Sequence, residues 1–413
     1  MIDMARLAVD FGTSNTAAAV PGEGIVALEP GETTMPTALF FDPYSKEVLF
    51  GHRAVDALID GQEGRFLRAL KSVLGNPLLR ESRVLGGERT TLLQVVATFI
   101  AQVKLRAEKQ FSAEFDTVLS GRPVRFHSRN DAYNKQAEKD LAEAYALAGF
   151  QDVQFMAEPE AAALACGGVA DGYGLVVDIG GGTSDYSVFR GQGDGIEVVS
   201  NYGIRLGGTD FDRMLNIDRV MPHLGMGSLI RNELGSGQNE APRALFRDLA
   251  TWEKIPFQYS AQIKRDAGRM AKLAVEPKPW ARLVEVLEME LAHEIAHAVE
   301  KAKISANTGR GRGIDLGFLE KGLALDLTED DLNRVLAESA AEIASAAQEA
   351  LRVANIRPDQ ITRVVMVGGS SLMHVIEFAI RATLPNAQID RSDAFTAIVD
   401  GLQIAAERLD PAA

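Results

Sequence analysis

Leu7-Ala-Val-Asp10-Phe-Gly12-Thr13-Ser14-Asn15-Thr-Ala-Ala-Ala-Val20 recurs, 168 positions later, as Leu175-Val-Val-Asp178-Ile-Gly180-Gly181-Gly182-Thr183-Ser184-Asp185-Tyr-Ser-Val-Phe189. Each copy reads apolar strand, aspartate, glycine turn with hydroxyls, apolar strand. The spacing is far too long for a solenoid and predicts duplication of a whole domain, with a cleft between the halves. A tight glycine turn lets backbone N–H groups point at phosphate oxygens, because no Cβ blocks the approach. Thr13, Ser14, Thr183 and Ser184 add hydroxyl donors. Asp10, Asp178 and Asp185 would repel a phosphate unless a cation lay between. Mg2+ suits that place, since it keeps several waters and binds through few carboxylates. One copy alone reads better as an ordinary hairpin with acidic turn residues. Two copies predict a pair of jaws on a polyphosphate and its metal.

Composition narrows the setting. The chain has 413 residues, long enough for two or more domains, and 46% of them are hydrophobic. Fifty-seven acids against forty-three bases give a net charge of −14. Such a surface repels nucleic acid and anionic membranes, so neither is expected as a partner. A single cysteine, Cys166, rules out an intrachain disulfide and reads as a small buried side chain. The N-terminus enters strand sequence without a charged-then-apolar leader, and no stretch of apolar residues is long enough to span a membrane. The cytoplasm is the expected compartment.

Strand and helix patterns alternate, which predicts an α/β protein. Residues 7–20 and 175–189 read as hairpins, and Val364-Val-Met-Val367 as a short buried strand ahead of a helix from Met373. Residues 94–110 and 134–148 carry apolar groups at helical spacing, the second closed by Gly149. Pro159 opens a helix over 160–165 that Gly167-Gly168 ends. Thr328-Glu-Asp-Asp331 starts a helix that can run to about Asn355. Residues 219–282 look less regular, with a short helix at 248–256, and 309–313 reads as a loop, as does the turn Gly191-Gln-Gly-Asp-Gly195.

Four segments occur in a telling order: Asp10-Phe-Gly-Thr-Ser-Asn15, Asp178-Ile-Gly-Gly-Gly-Thr-Ser-Asp185, Leu206-Gly-Gly-Thr-Asp-Phe-Asp212 and Val367-Gly-Gly-Ser-Ser371. Together they resemble the actin-like ATPase superfamily, two ribonuclease-H-like lobes around a nucleotide cleft. Glu158-Pro-Glu-Ala-Ala-Ala-Leu-Ala165 narrows the resemblance to the seventy-kilodalton heat-shock (DnaK-type) chaperones. Glu300-Lys-Ala-Lys303 and the helix ending Ala350-Leu-Arg-Val-Ala-Asn355 agree, and the chain is most similar to the YegD-type branch.

The resemblance implies lobe I over 1–168, with a final helix within 391–413 packing back on it. Lobe II is then 169–390, with an insertion at about 213–310. It implies ATP and ADP as ligands with Mg2+, and slow hydrolysis to ADP and phosphate. Gly12, Thr13, Ser14 and Asn15 would wrap the β- and γ-phosphates, opposed by Gly180, Gly181, Gly182 and Thr183. Asp10 and Asp178 would hold Mg2+ through water. Lys71 matches the lysine near the γ-phosphate, and Glu158 and Asp185 would orient the attacking water. Thr183 would also link the nucleotide to rearrangement of the second hairpin. Gly207, Gly208, Gly368, Gly369 and Ser370 join the nucleotide-binding set. The nucleoside falls to Glu300, Lys303, Ile304, Asn307 and Leu372. Taken as residues alone, Lys71 reads as a solvated helix lysine, and Glu300 with Lys303 as a surface ion pair.

The chain departs from that family in two ways. Ile304 and Leu372 stand where an arginine pair clasps the adenine, losing cation–π attraction of about 0.5–2 kcal/mol per contact. Asn307 replaces a hydroxyl residue. The sequence also stops at Ala413, after the helix at 394–409, so the resemblance is to the nucleotide-binding part without a peptide-binding domain. A protein client or co-chaperone is the partner this implies.

Other signals compete. His293-Glu-Ile-Ala-His297 fits a zinc-protease helix, with Glu320 as a distant third ligand. An alanine-rich helix with histidines on one side explains the same residues. No Gly-x-x-x-x-Gly-Lys-Ser/Thr segment exists, so a P-loop is excluded. A sugar kinase, a filament-forming ATPase and a weakly hydrolysing regulator remain alternatives within the superfamily.

Overall fold

The computed structural model describes residues 5–126, 131–167, 172–192, 195–233, 236–311, 313–391 and 396–409. Gly168, Gly193-Asp194, Arg312, and residues 392–395 and 410–413 of the expected last helix lie outside the described residues. The chain divides into two compact units, Met1–Gly208 with Ala341–Ala413, and Thr209–Ala340.

The first unit holds two sheets of the same topology. In one, β1 (Ala5–Phe11), β2 (Asn15–Val20), β3 (Gly24–Ile25), β5 (Phe115–Arg122) and β6 (Asp152–Ala157) run in the order β3-β2-β1-β5-β6, and β4 (Met35–Pro36) pairs with β2. In the other, β7 (Tyr173–Ile179), β8 (Ser184–Gln192), β9 (Gly195–Ile204), β10 (Ile361–Val367) and β11 (Gln388–Arg391) run β9-β8-β7-β10-β11. In each, the first three strands are antiparallel neighbours, and the last two join the first strand in parallel. The duplicated hairpins are thus the first two strands of duplicated sheets. The fold is α/β, as expected.

Side-chain alternation along β1 buries both of its faces. Leu7, Val9 and Phe11 enter one core with α1 (Leu92–Phe111) and α2 (Asp131–Leu147), while Ala8 enters a second. That second core also takes Ala17 and Ala19, Val176 and Phe189 of the other sheet, α3 (Glu158–Ala165), and the last helix, Ala397–Leu409. Small side chains let α3 and the last helix pack at backbone contact. A Cβ on Gly401 would run into the carbonyl of Ala161.

Local signals place the ends. Thr91 and Gln94 form a capping box at the start of α1, and Gly149 follows α2 at φ 94°. Thr328 and Asp331 form the expected capping box, but the helix beyond it breaks at Leu336 into Glu329–Val335 and Ala337–Ala354, and Asn355 follows in the left-handed region at φ 57°. The less regular region holds more helix than its glycine content suggests: Arg243–Leu249, a 3-10 turn at Trp252–Phe257, then Ala261–Leu273 and Pro277–Glu288. Cys166 is half-buried rather than buried, because it follows the last turn of α3. Among the described residues no helix is long and apolar enough to cross a membrane.

Candidate functional site

The strand ends bring the two glycine turns together. A methyl group placed on Gly181 would stand 2.5 Å from Ser14 Oγ and 3.2 Å from Thr13 Cβ, and one on Gly182 3.5 Å from Thr13 Oγ1. The 206–208 segment braces the second turn: Gly208 N–H donates to the Gly180 carbonyl at 3.0 Å, and Ser184 Oγ donates to the Leu206 carbonyl at 2.6 Å. Gly207 lies against the backbone of Gly181 and Gly182, where a Cβ would come within 2.7 Å. Gly368 lies equally close to Asp178 and Ile179, and Gly208 to the Ser370 hydroxyl. Gly369 and Leu372 bound the 3-10 turn that follows. Three of the quoted segments, and Leu206-Gly207-Gly208 of the other, therefore meet in the first unit.

Charge collects beneath the turns. Asp10 is the penultimate residue of β1, opposite Ala17, and Asp178 the penultimate residue of β7, directly opposite Asp185 on β8. Glu158, first residue of α3, is buried and ion-paired with Lys71, which is also buried. Lys71 is therefore no solvated surface lysine. Burial, then the negative field of Glu158, raises the Asp10 carboxyl to about 7, and Lys71 only partly offsets this. Asp185 is raised to about 7 by burial and by Glu158, against hydrogen bonds from Thr183 and the Val124 N–H. Asp178 is raised by burial, Glu158, Asp185 and Asp10. Burial disfavours the Lys71 ammonium, but Glu158, Asp10 and Asp185 together hold it above its ordinary value.

Four carboxylates thus share one lysine. Asp185 Oδ1 accepts from Val124 N–H at 2.8 Å, while its buried Oδ2 has no hydrogen-bond partner among the described residues. An unbalanced, desolvated acidic cluster beside two facing glycine turns fits a hydrated divalent cation with a phosphate chain. Among the described residues no group of three or more His, Cys, Asp or Glu side chains is placed to hold a metal ion directly.

The Val124 N–H was not legible in the sequence; nothing in Arg122-Pro-Val-Arg125 marks a donor. Nor was the bracing role of Leu206, although it sits in a quoted motif.

In the second unit, the helix Ala292–Asn307 carries Glu300, Lys303, Ile304 and Asn307. Lys303 is buried and its ammonium lies 2.8 Å from Asp212, so it does not belong to a solvated surface pair. Asn307 is buried, Ile304 is 57% exposed, and Glu300 lies 3.9 Å from His297. The zinc reading finds no support: His293 packs its ring 5.1 Å from Trp252, and Glu320 binds Lys278 and Arg282 at 2.8 and 2.6 Å.

A doubled five-strand sheet with a glycine turn at the first hairpin of each copy defines the actin-like ATPase fold. The model of the family described as Hsp70 protein matches residues 76–226. The chain is 26% identical to a protein named Chaperone protein HscA homolog from Delftia acidovorans, over 96% of this chain and 58% of that protein. It is 25% identical to one named Chaperone protein DnaK from Elusimicrobium minutum, over 91% of this chain and 53% of that protein. The chain is thus similar to Hsp70 proteins, and it spans between half and three fifths of the length of these relatives.

Proposed function

We propose that this chain binds ATP with Mg2+ between the two turns of its first unit and hydrolyses it slowly to ADP and phosphate. The observation that carries this reading is the cluster of four carboxylates on one lysine, beneath glycine turns that face each other across about one side chain's width. Phosphoryl transfer asks protein groups mainly for position and charge.

Each residue then has a task. Gly12 to Asn15 and Gly180 to Thr183 offer N–H and hydroxyl donors to phosphate oxygens. Asp10 and Asp178 would hold the cation through its bound water. Bound Mg2+ supplies positive charge against the phosphate oxygens. Lys71, held by Glu158, adds a second positive charge near the transferred group. Glu158 and Asp185 orient a water for attack, with Asp185 Oδ2 free to accept its hydrogen.

Both relatives carry the word chaperone in their names, and a protein client or co-chaperone is the partner we propose here. The YegD-type branch is the placement within the family that the sequence favours. Phosphate release from ATP, measured with Mg2+ and again after chelation, tests the reading. Turnover that needs Mg2+ supports it; no hydrolysis above a Lys71→Ala control removes it.

A further inference from the structure

Lys71 and Glu158 are brought together from distant parts of the chain, and α2 touches the supports of both. Lys71 stands in the 3-10 turn Leu70–Val73, entered through Ala69 at φ 58°, a left-handed conformation costly for a residue with a Cβ. Such a turn needs outside support. Asp140 of α2 supplies it at the exit: only 1% exposed, it accepts from Gly75 N–H at 2.9 Å, Arg80 Nη2 at 2.7 Å and Gln136 Nε2 at 2.8 Å.

Five residues further along α2, Tyr145 is fully buried with its hydroxyl 2.8 Å from Ser120 Oγ. Ser120 and Gly121 point to opposite faces of β5. On the far face, a methyl group on Gly121 would stand 3.2 Å from Glu158 Cγ, so the strand end there is the floor on which Glu158 rests. Burial raises the Tyr145 phenol, and the fields of Asp10 and Glu158 raise it further, which places the hydroxyl within electrostatic range of both.

We infer that α2 is the positioning element of the Lys71–Glu158 pair. Asp140 fixes the turn that presents Lys71, and Tyr145, through Ser120, fixes the strand end that supports Glu158. Neither residue is among those assigned above to the nucleotide or the cation. The catalytic readout rests on the proposed ATPase; the geometric one does not.

The test uses the full chain with Tyr145→Phe, which keeps the ring in the core, and with Asp140→Ala and Asp140→Asn. Tyr145→Phe is expected to slow single-turnover ATP hydrolysis about tenfold while leaving ATP affinity within about twofold. In a Lys71→Ala background the same change is expected to add nothing, because the pair it positions is already gone. Without nucleotide, acetic anhydride labelling of Lys71, read by mass spectrometry, is expected to rise severalfold in Tyr145→Phe and Asp140→Ala. It returns toward wild type in Asp140→Asn, which keeps an acceptor for Gly75 N–H. Unchanged Lys71 labelling in folded Tyr145→Phe overturns the inference, as does a full additional loss in the Lys71→Ala background. Should Asp140→Ala fail to fold, the Tyr145→Phe labelling decides. A wild-type chain without ATPase activity sinks the proposed function, while the labelling still decides the role of α2.

Discussion

Lys71 and Glu158, 87 residues apart in sequence, form a buried ion pair within the first unit. Breaking one side of such a pair leaves a desolvated charge and costs about 3–5 kcal/mol. Lys71→Ala is therefore expected to lower stability in urea unfolding as well as hydrolysis. Adding Glu158→Gln, which removes the stranded charge, is expected to restore much of the stability and none of the turnover. Equal stability of the single and double variants would contradict the pairing.

Asp10→Asn removes one of the carboxylates assigned to the water shell of the cation. Mg2+-dependent phosphate release is expected to vanish while the far-UV circular dichroism stays that of the wild type. Turnover at the wild-type rate would strike Asp10 from the metal assignment.

Gly401 meets the carbonyl of Ala161 where the last helix crosses α3. Overpacking a core costs about 1–3 kcal/mol when neighbours can shift, and here the neighbour is helix backbone. Gly401→Val is expected to lower Tm by several degrees and, because Glu158 begins α3, to reduce hydrolysis in the protein that remains folded. An unchanged Tm would show that the two helices do not pack this closely.

Glu294, in the first turn of the helix Ala292–Asn307, has a buried Oε2 without a hydrogen-bond partner among the described residues. Burial, with a smaller push from Glu290, raises its carboxyl from 4.5 to about 7, partly offset by a backbone hydrogen bond. The folded state then holds more protons than the unfolded state between about pH 4.5 and 7, so its contribution to stability is lost as pH rises through that window. Glu294→Gln is expected to raise Tm relative to wild type at pH 8 and to bring little change at pH 4.5. Parallel Tm curves for the two proteins from pH 4.5 to 8 would contradict this.

Much of the fold was legible because it was written twice. An aspartate followed by a glycine turn between apolar strands marks each hairpin, and identical sheet topology follows from repeating it. The convergence of the four glycine segments was legible only through the order in which they occur. What was hidden depends on contacts that sequence spacing does not encode. The donor for Asp185 is a backbone N–H of Val124, which any residue but proline would supply. Gly401 looks like a flaw in a helix until Ala161 is set opposite it. Tyr145 reads as one more apolar position in α2, since its partner Ser120 is 25 residues away on a strand. The helices over 261–288 were obscured by the glycine-rich stretch before them, although their own apolar spacing is helical.

The most direct test of the central claim is a calorimetric titration of ATP into the wild-type chain and into Gly181→Val, each with and without Mg2+. The valine would fill the gap between the second turn and Ser14. One-site binding that requires Mg2+ in the wild type and disappears in a folded Gly181→Val protein is the predicted result. ATP binding of equal strength in both proteins would contradict a phosphate site between the two turns.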